Sequence, residues 1–373
     1  MRPLIVSGMT GPDHVEPPLV RDISLAVEPG RTCALVGPSG SGKTTIIRLV
    51  AGLDALTAGA VLLGDQRIDR LPTGKRNLAL VDQEATLYRH LDVGENLAFP
   101  LRMRGIGASE RGERVRAESR VHRLRDLLSR RPRSLSAGEQ QQAALARGTV
   151  RVPELMLLDE PMAKLDAGLR STVRAELATY LAGLEAPTLM ATNDQIDALS
   201  LGDDLGVLRE GRLVQIGPPQ VVYHRPDSPF VAGFLGLPGA NLVSGRVAIG
   251  GHSAWIRIGE GAWEFAPALG PVRTLADRRV TVAARAEHLR LGGADEASVP
   301  GHVTLTEVLG SDGLVHVRLA GAAETVVLRL DRPLPARGER VAVAADPEQL
   351  TLFEPEPDPD VGAVLARGGE SGA

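Results

Sequence analysis

The sequence predicts an α/β domain, a parallel sheet covered by helices, followed by a small all-β domain. Three patterns carry this expectation. Up to about residue 236, short apolar runs at 33–36, 155–158 and 188–192 alternate with stretches of helical periodicity, the rhythm of buried strands joined by helical crossovers. A glycine cluster separates the first of these runs from the helical pattern behind it. After about Leu237 the period falls to two, with Gly, Pro and Asp punctuating every ten residues or so, which favours a barrel or sandwich of short strands.

Taken in order, residues 1–87 contain no Phe, Trp or Tyr and read as buried strands and tight turns. Residues 33–36 form a strand, and residues 45–53 place Ile46, Ile47, Leu49, Val50 and Leu53 at helical spacing. From about Tyr88 to Arg131 the chain is laced with Arg and Glu, and Val115, Val121, Leu124, Leu127 and Leu128 fall roughly in helical register, so a helical subdomain is expected at about 88–150. A further amphipathic helix carries Leu169, Val173, Leu177, Leu181 and Leu184 on one face. In the β segment Val315, Val317 and Leu319 alternate with His316 and Arg318, and Trp263 and Phe265 flank Glu264. The expected division is a first domain at 1–236, a β domain at 237–353 and a disordered tail at 354–373, rich in Pro and acid and then in Gly.

Composition narrows the function. Among 373 residues, 42 basic against 46 acidic side chains give a formal charge of −4, which excludes a basic nucleic-acid binder on bulk charge. A single cysteine, Cys33, excludes a disulfide framework and reads as a small buried hydrophobe. No apolar run approaches the roughly 18 residues of a membrane span, and the N-terminus lacks the layout of a signal peptide, so a cytoplasmic location is expected. Lysine occurs only at Lys43, Lys75 and Lys164, which makes a lysine inside a motif informative.

Such a motif exists. Gly37-Pro38-Ser39-Gly40-Ser41-Gly42-Lys43-Thr44 fits G-x-x-x-x-G-K-[ST] between the expected strand and helix. The glycines let the backbone curl so that its N–H groups face phosphate oxygens, and the helix N-terminus adds a favourable field. Lys43 is placed to reach the β- and γ-phosphates, and Thr44 to ligate Mg²⁺. The apolar run Leu155-Met156-Leu157-Leu158 ends in Asp159-Glu160-Pro161, two acids at the carboxyl edge of a parallel strand. Asp159 is expected to hold Mg²⁺ and Glu160 to orient or deprotonate the attacking water. Leu135-Ser136-Ala137-Gly138-Glu139 reads as a capping box, a geometry that also presents a hydroxyl and free N–H groups to an anion.

In this order, the phosphate loop, the lone Gln83, the Leu-Ser-x-Gly-Glu run and Asp159-Glu160 resemble the motifs of ATP-binding-cassette ATPases. The resemblance implies that ATP is held by residues 37–45 of one cassette and closed over by Ser136, Ala137, Gly138 and Glu139 of a second, identical or different. Gln83 looks like the glutamine that contacts Mg²⁺ and the water, and Lys164-Leu165-Asp166 looks like the loop that places Asp166 at the nucleotide interface. His224-Arg225-Pro226, the stretch from Phe230 to Gly236 and Pro238-Gly239-Ala240-Asn241 are similar to the junction in importer ATPases for maltose-type sugars and glycerol 3-phosphate. Arg285-Ala286-Glu287-His288 and Leu350-Thr351-Leu352-Phe353 resemble the accessory OB-like β domain of those proteins. The implied partners are two transmembrane permease subunits, a second ATPase subunit and, indirectly, an extracytoplasmic solute-binding protein. The implied place is the cytoplasmic face of a bacterial-type membrane. Related importers for polyamines, sulfate or iron share the cassette, so the solute stays open.

Several positions depart from that family. Its switch histidine should fall near Thr192, but the chain reads Ala191-Thr192-Asn193-Asp194-Gln195 and has no histidine between His122 and His224. Asparagine can donate a hydrogen bond to a γ-phosphate but cannot become cationic or relay a proton. Ala137, Gln142 and Ala163 are further replacements, and in place of an aromatic on adenine only His14 offers a flat ring. Two functions follow as expectations: an importer ATPase with attenuated hydrolysis, or a regulatory subunit that contributes a degenerate site. A P-loop GTPase is disfavoured because no N-K-x-D run occurs.

Overall fold

The computed structural model describes residues 1–84, 87–250, 253–266, 271–293, 296–355 and 363–367. Alternating burial marks β1 (Leu4–Gly11) and β2 (Val20–Val27), which pair antiparallel, whereas β3 (Thr32–Val36) is buried at every position, as a strand covered on both faces must be. After α1 (Lys43–Ala51), β4 (Ala58–Leu63) and β5 (Gln66–Arg67) complete a small antiparallel sheet in the order β2-β1-β4-β5. The chain then contributes β6 (Leu78–Val81) to the central sheet and runs through α2 (Val93–Met103), α3 (Ala108–Val121) and α4 (Ala137–Thr149) before returning as β7 (Leu155–Asp159). The crossovers α5 (Ala167–Ala182) and α6 (Gln195–Leu201) lead to β8 (Thr188–Ala191) and β9 (Asp204–Arg209), and β10 (Arg212–Gly217) turns back antiparallel. The sheet order β10-β9-β3-β8-β7-β6 makes β3, β8 and β7 neighbours in parallel. Their carboxyl ends therefore share one edge, the place where open α/β sheets bind ligands.

Two helices differ from the periodicity reading. α1 starts at Lys43 and stops at Ala51, because Gly52 adopts φ 79° and its N–H turns back to the carbonyls of Arg48 and Leu49, leaving Leu53 half exposed beyond the helix. α3 ends at Val121, which is exposed, and Arg123 at φ 54° breaks the register. Leu124 is buried, but Leu127 lies in a short 3₁₀ turn and not on a continuing helical face.

The chain divides into two compact units, Met1–Pro219 and Gln220–Ala373. The second unit begins with α7 (Pro219–His224) and α8 (Pro229–Phe234), and α8 packs on β11 (Asn241–Gly250). Then follow β12 (Ser253–Ile258), β13 (Gly261–Phe265), β14 (Arg279–Ala284), β15 (Leu289–Leu291), β16 (Val299–Val308), β17 (Asp312–Leu319), β18 (Thr325–Asp331), β19 (Arg340–Ala345), β20 (Thr351–Phe353) and β21 (Val364–Arg367). They form two antiparallel sheets, β13-β12-β11-β14-β20-β21 and β15-β19-β16-β17-β18, which enclose one apolar core. The period-two reading holds here: Val315, Val317 and Leu319 are buried in β17, as are Trp263 and Phe265 in β13. Residues 364–367 are a strand that covers the edge of β20, which would otherwise leave backbone groups open, while 356–362 and 368–373 lie outside the described residues.

Trp263 joins the two sheets. Its ring is fully buried, and its indole N–H donates to the Val343 carbonyl at 2.8 Å. Trp263→Ala should therefore destabilise this unit by about 3–5 kcal/mol through the cavity alone. Equilibrium urea unfolding followed by Trp255 fluorescence checks it, and a loss below about 1 kcal/mol would show that the core collapses around the gap.

Candidate active site

The loop between β3 and α1 is built by close approach. A Cβ on Gly37 would stand 2.2 Å from the Leu208 carbonyl oxygen, and one on Gly42, at φ 103°, would stand 2.6 Å from Val20 Cγ1. Only glycine fits at these two positions. Ser41 N–H donates to the Pro38 carbonyl at 3.1 Å and the Ser41 carbonyl accepts from Gly211 N–H at 3.1 Å, so the curl is held from within and from the β9–β10 turn. Pro38, Ser39 and Gly40 form the exposed tip, and Ser41 is buried beneath it. Lys43 opens α1 with its ammonium folded into the same loop, donating to the carbonyls of Gly37 at 2.8 Å and Pro38 at 3.0 Å. Burial pulls the Lys43 pKa down, and the charges of Glu160 and Asp159 oppose that.

The two acids meet this loop at the carboxyl edge. Thr44 Oγ1 donates to Asp159 Oδ1 at 2.9 Å, while Thr45, next along α1, is half-buried. Burial raises the Asp159 carboxyl above its ordinary range, with the Asp82 charge adding to the rise and Thr44, Lys43 and Arg48 opposing it. Glu160 leaves β7 at φ 50°, a conformation that costs a non-glycine residue about 1–3 kcal/mol and that gathers at functional sites. Its N–H donates to the Ala191 carbonyl at 2.8 Å, which ties it to the end of β8. Burial also raises the Glu160 carboxyl, the backbone N–H of Asn193 and the Lys43 charge opposing it. The influence of the Asn193 backbone on Glu160 has no counterpart in sequence patterns, and Asn193 itself is exposed. Asp194 caps α6, accepting from Asp197 N–H at 3.0 Å.

Other expected residues stand apart from this cluster. Gln83 is exposed on the loop after β6, and no described hydrogen bond joins it to Thr44 or Asp159, although its neighbour Asp82 acts on Asp159 through charge. Ser136 caps α4 in the expected capping box: Ser136 Oγ accepts from Glu139 N–H at 3.3 Å and Glu139 Oε2 accepts from Ser136 N–H at 2.7 Å. Ala137 is exposed and Gly138 buried at the start of that helix, which packs on α2 and β6. Among the described residues no hydrogen bond or ion pair links residues 136–139 to residues 37–45. Asp166 caps α5 by accepting from Leu169 N–H at 3.0 Å. His14 is exposed between β1 and β2 beside Asp13, 3.6 Å away, and among the described residues no hydrogen bond or ion pair links it to the loop at 37–44. Gln142 donates to Glu176, which also takes Arg123 at 2.6 Å, and so faces α5.

Contacts that no motif announced also surround the site. Lys164 Nζ and Glu84 Oε2 pair at 2.7 Å, joining the loops that follow β7 and β6. Arg147 of α4 lies over the Tyr88 ring at 5.3 Å and within reach of the Asp82 charge. The rarity of lysine was the one sequence signal for the first of these; the second had none.

A hydroxyl and a carboxylate oxygen paired 2.9 Å apart are the hard-oxygen donors that Mg²⁺ takes when phosphate and water complete its shell. Among the described residues no group of three or more His, Cys, Asp or Glu could hold a metal by itself. The donor set thus fits a metal that arrives with a phosphate ligand.

Comparison with known proteins decides the family. A family model described as "ABC transporter" matches residues 20–163, and one described as "TOBE domain" matches residues 282–353. The sn-glycerol-3-phosphate import ATP-binding protein of Escherichia coli strain K12 is 38% identical over 338 residues, covering 91% of this chain and 94% of that protein. The chain belongs to the ABC transporter ATPases. The sulfoquinovosyl glycerol transport ATP-binding protein of Agrobacterium fabrum is 37% identical to this ABC ATPase over 339 residues, covering 90% and 93% of the two chains. In fold, the ABC ATPase is similar to the cassette solved as "Dimeric Structure of MJ0796, a Bacterial ABC Transporter Cassette", with TM-score 0.52, 23% identity, and coverage of 58% of this chain and 98% of that one. Among the described residues no helix is long and apolar enough to cross a membrane.

Proposed function

We propose that this ABC ATPase powers a binding-protein-dependent importer of a sugar, oligosaccharide, polyol or glycerol phosphate, as a cassette pair attached to two permease subunits at the cytoplasmic face of the membrane. The observation that carries the chemistry is the meeting of Lys43, the Thr44–Asp159 pair and the strained Glu160 at one sheet edge. The solute class rests on the relatives named for glycerol 3-phosphate and sulfoquinovosyl glycerol.

On this reading Lys43 exchanges its bonds to Gly37 and Pro38 for the β- and γ-phosphate oxygens of ATP, and the backbone of residues 37–45 cradles the rest. Thr44 and Asp159, joined by Gln83, would hold Mg²⁺, which would neutralise charge on the phosphates. Glu160 accepts a proton from the attacking water, and the Asn193 amide donates to the γ-phosphate. Ser136, Ala137, Gly138 and Glu139 of a second cassette close the site, with Asp166 at the seam. His14 is the flat group offered to adenine.

The pH response follows from burial. Glu160 must be ionised to act as a base, and burial raises its pKa, so turnover should fall on the acid side at a pH above the ordinary glutamate range. Stability runs the other way: between the unfolded and the raised folded pKa the native chain binds more protons, so these carboxyls contribute most at low pH and lose that contribution as pH rises. Turnover and thermal unfolding measured across pH 4–8 check both signs, and an acid limb at the pH of an exposed glutamate would contradict the assignment.

A second reading, a regulatory subunit with a degenerate site, is favoured by one observation, Asn193 in place of histidine. Copurification with permeases followed by solute-stimulated hydrolysis separates the two. Stimulation by a glycerol phosphate or sugar with its binding protein supports the importer ATPase, and nucleotide binding without stimulated turnover supports the regulator.

A further inference from the structure

Asn193 and Asp166 lie on separate loops, after β8 and after β7, and one side chain reaches both. Arg170, in the first turns of α5, sends Nη1 to Asp194 Oδ2 at 2.7 Å and Nη2 toward the Leu165 carbonyl at 3.4 Å. Asp194 adjoins Asn193 and caps α6; Leu165 adjoins Asp166, which caps α5. The first of these loops follows the end of β8, where the Ala191 carbonyl accepts from the Glu160 N–H at 2.8 Å, and the Asn193 backbone N–H opposes the rise of the Glu160 carboxyl. A single guanidinium thus pins the neighbours of two side chains that face nucleotide on the reading above.

The geometry is not that of an ion pair formed for its own sake. A guanidinium optimised for one carboxylate presents two N–H groups to its two oxygens. Here Arg170 gives Asp194 one bond, and its Nε is buried without a hydrogen-bond partner, a costly arrangement for a buried donor. Arg174, one turn along α5, provides the contrast. Its Nε donates to Asp197 Oδ1 at 2.6 Å, on a carboxylate only 3% exposed, and this simpler pair holds α6 to α5 without reaching either loop.

We propose that Arg170 is a positioning residue for hydrolysis, which locks the loop of Asn193 in register with the loop of Asp166 so that the two move as one. The proposal rests on the assignment of Asn193 to the γ-phosphate. A misplacement of about 1 Å costs a reacting group on the order of 10²-fold, so breaking the span should slow chemistry while leaving the phosphate loop able to bind.

The test is single-turnover ATP hydrolysis by the full chain in excess over Mg-ATP, with nucleotide affinity and thermal unfolding measured on the same samples. Arg170→Gln should slow hydrolysis by between about tenfold and a hundredfold with ATP affinity within about threefold. Arg170→Lys, able to keep one of the two contacts, should recover part of the rate. Arg174→Gln should lower the unfolding temperature at least as far as Arg170→Gln yet keep the rate within about threefold. If Arg170 acts through Asn193, the Arg170→Gln loss disappears in an Asn193→Ala background. A native rate in Arg170→Gln, an equal loss in Arg174→Gln, or strictly multiplied losses in the double variant would each overturn the inference. A native rate in Asn193→Ala overturns the underlying assignment of Asn193, and the inference with it.

Discussion

Replacing Glu160 with glutamine should lower ATP turnover by about 10²–10⁴-fold, the usual contribution of a positioned general base, while ATP binding persists. The split is the informative part. Glu160 stands at φ 50° with its N–H on the Ala191 carbonyl at 2.8 Å, contacts that glutamine can keep while losing only the ability to accept a proton. Lys43, Thr44 and Asp159, which carry the binding contacts, are untouched by the change. Single-turnover hydrolysis beside equilibrium nucleotide binding reads both quantities. A variant that loses binding in parallel with turnover would show that Glu160 shapes the loop and does not act on water.

The second large effect is expected at position 193. Asn193→His should raise turnover by about tenfold or more, since loss of one well-placed donor to a developing charge costs other enzymes about 10²–10³-fold and the asparagine amide retains part of that donation. Position 193 follows the end of β8, where the Ala191 carbonyl accepts from the Glu160 N–H, so the imidazole enters next to the base. The variant should also gain a rate dependence near neutral pH, where imidazole titrates and an amide does not. Unchanged turnover with intact ATP binding would move the limit elsewhere, to Ala137, Ala163 or an unmet need for permease subunits. The structure already lowers the claim of Gln142, which is engaged with Glu176 on the α5 side.

The legible parts of this chain are those in which a backbone demand selects a residue type. Gly37 and Gly42 stand where a Cβ would strike Leu208 or Val20, so the glycine cluster announced the loop. The period of two in β17 announced a sheet with one buried face, and the Ser136–Glu139 box announced the start of α4. What the sequence left hidden depends on side chains that reach across elements. The Glu160 N–H on Ala191, Arg170 spanning two loops and Lys164 on Glu84 join residues far apart in the chain with no fixed spacing. Element ends were hidden for a related reason: one left-handed residue, Gly52 or Arg123, overrides a run of helical periodicity.

The central claim is that the curl of residues 37–44 and the Lys43 ammonium grip the triphosphate of ATP. Equilibrium dialysis of the full chain against labelled Mg-ATP, beside Lys43→Ala, tests it most directly. One nucleotide per native chain is expected, with affinity at least about tenfold weaker once the charge-assisted contact is removed. Equal affinity in the two proteins, or no binding by the native chain, would contradict it.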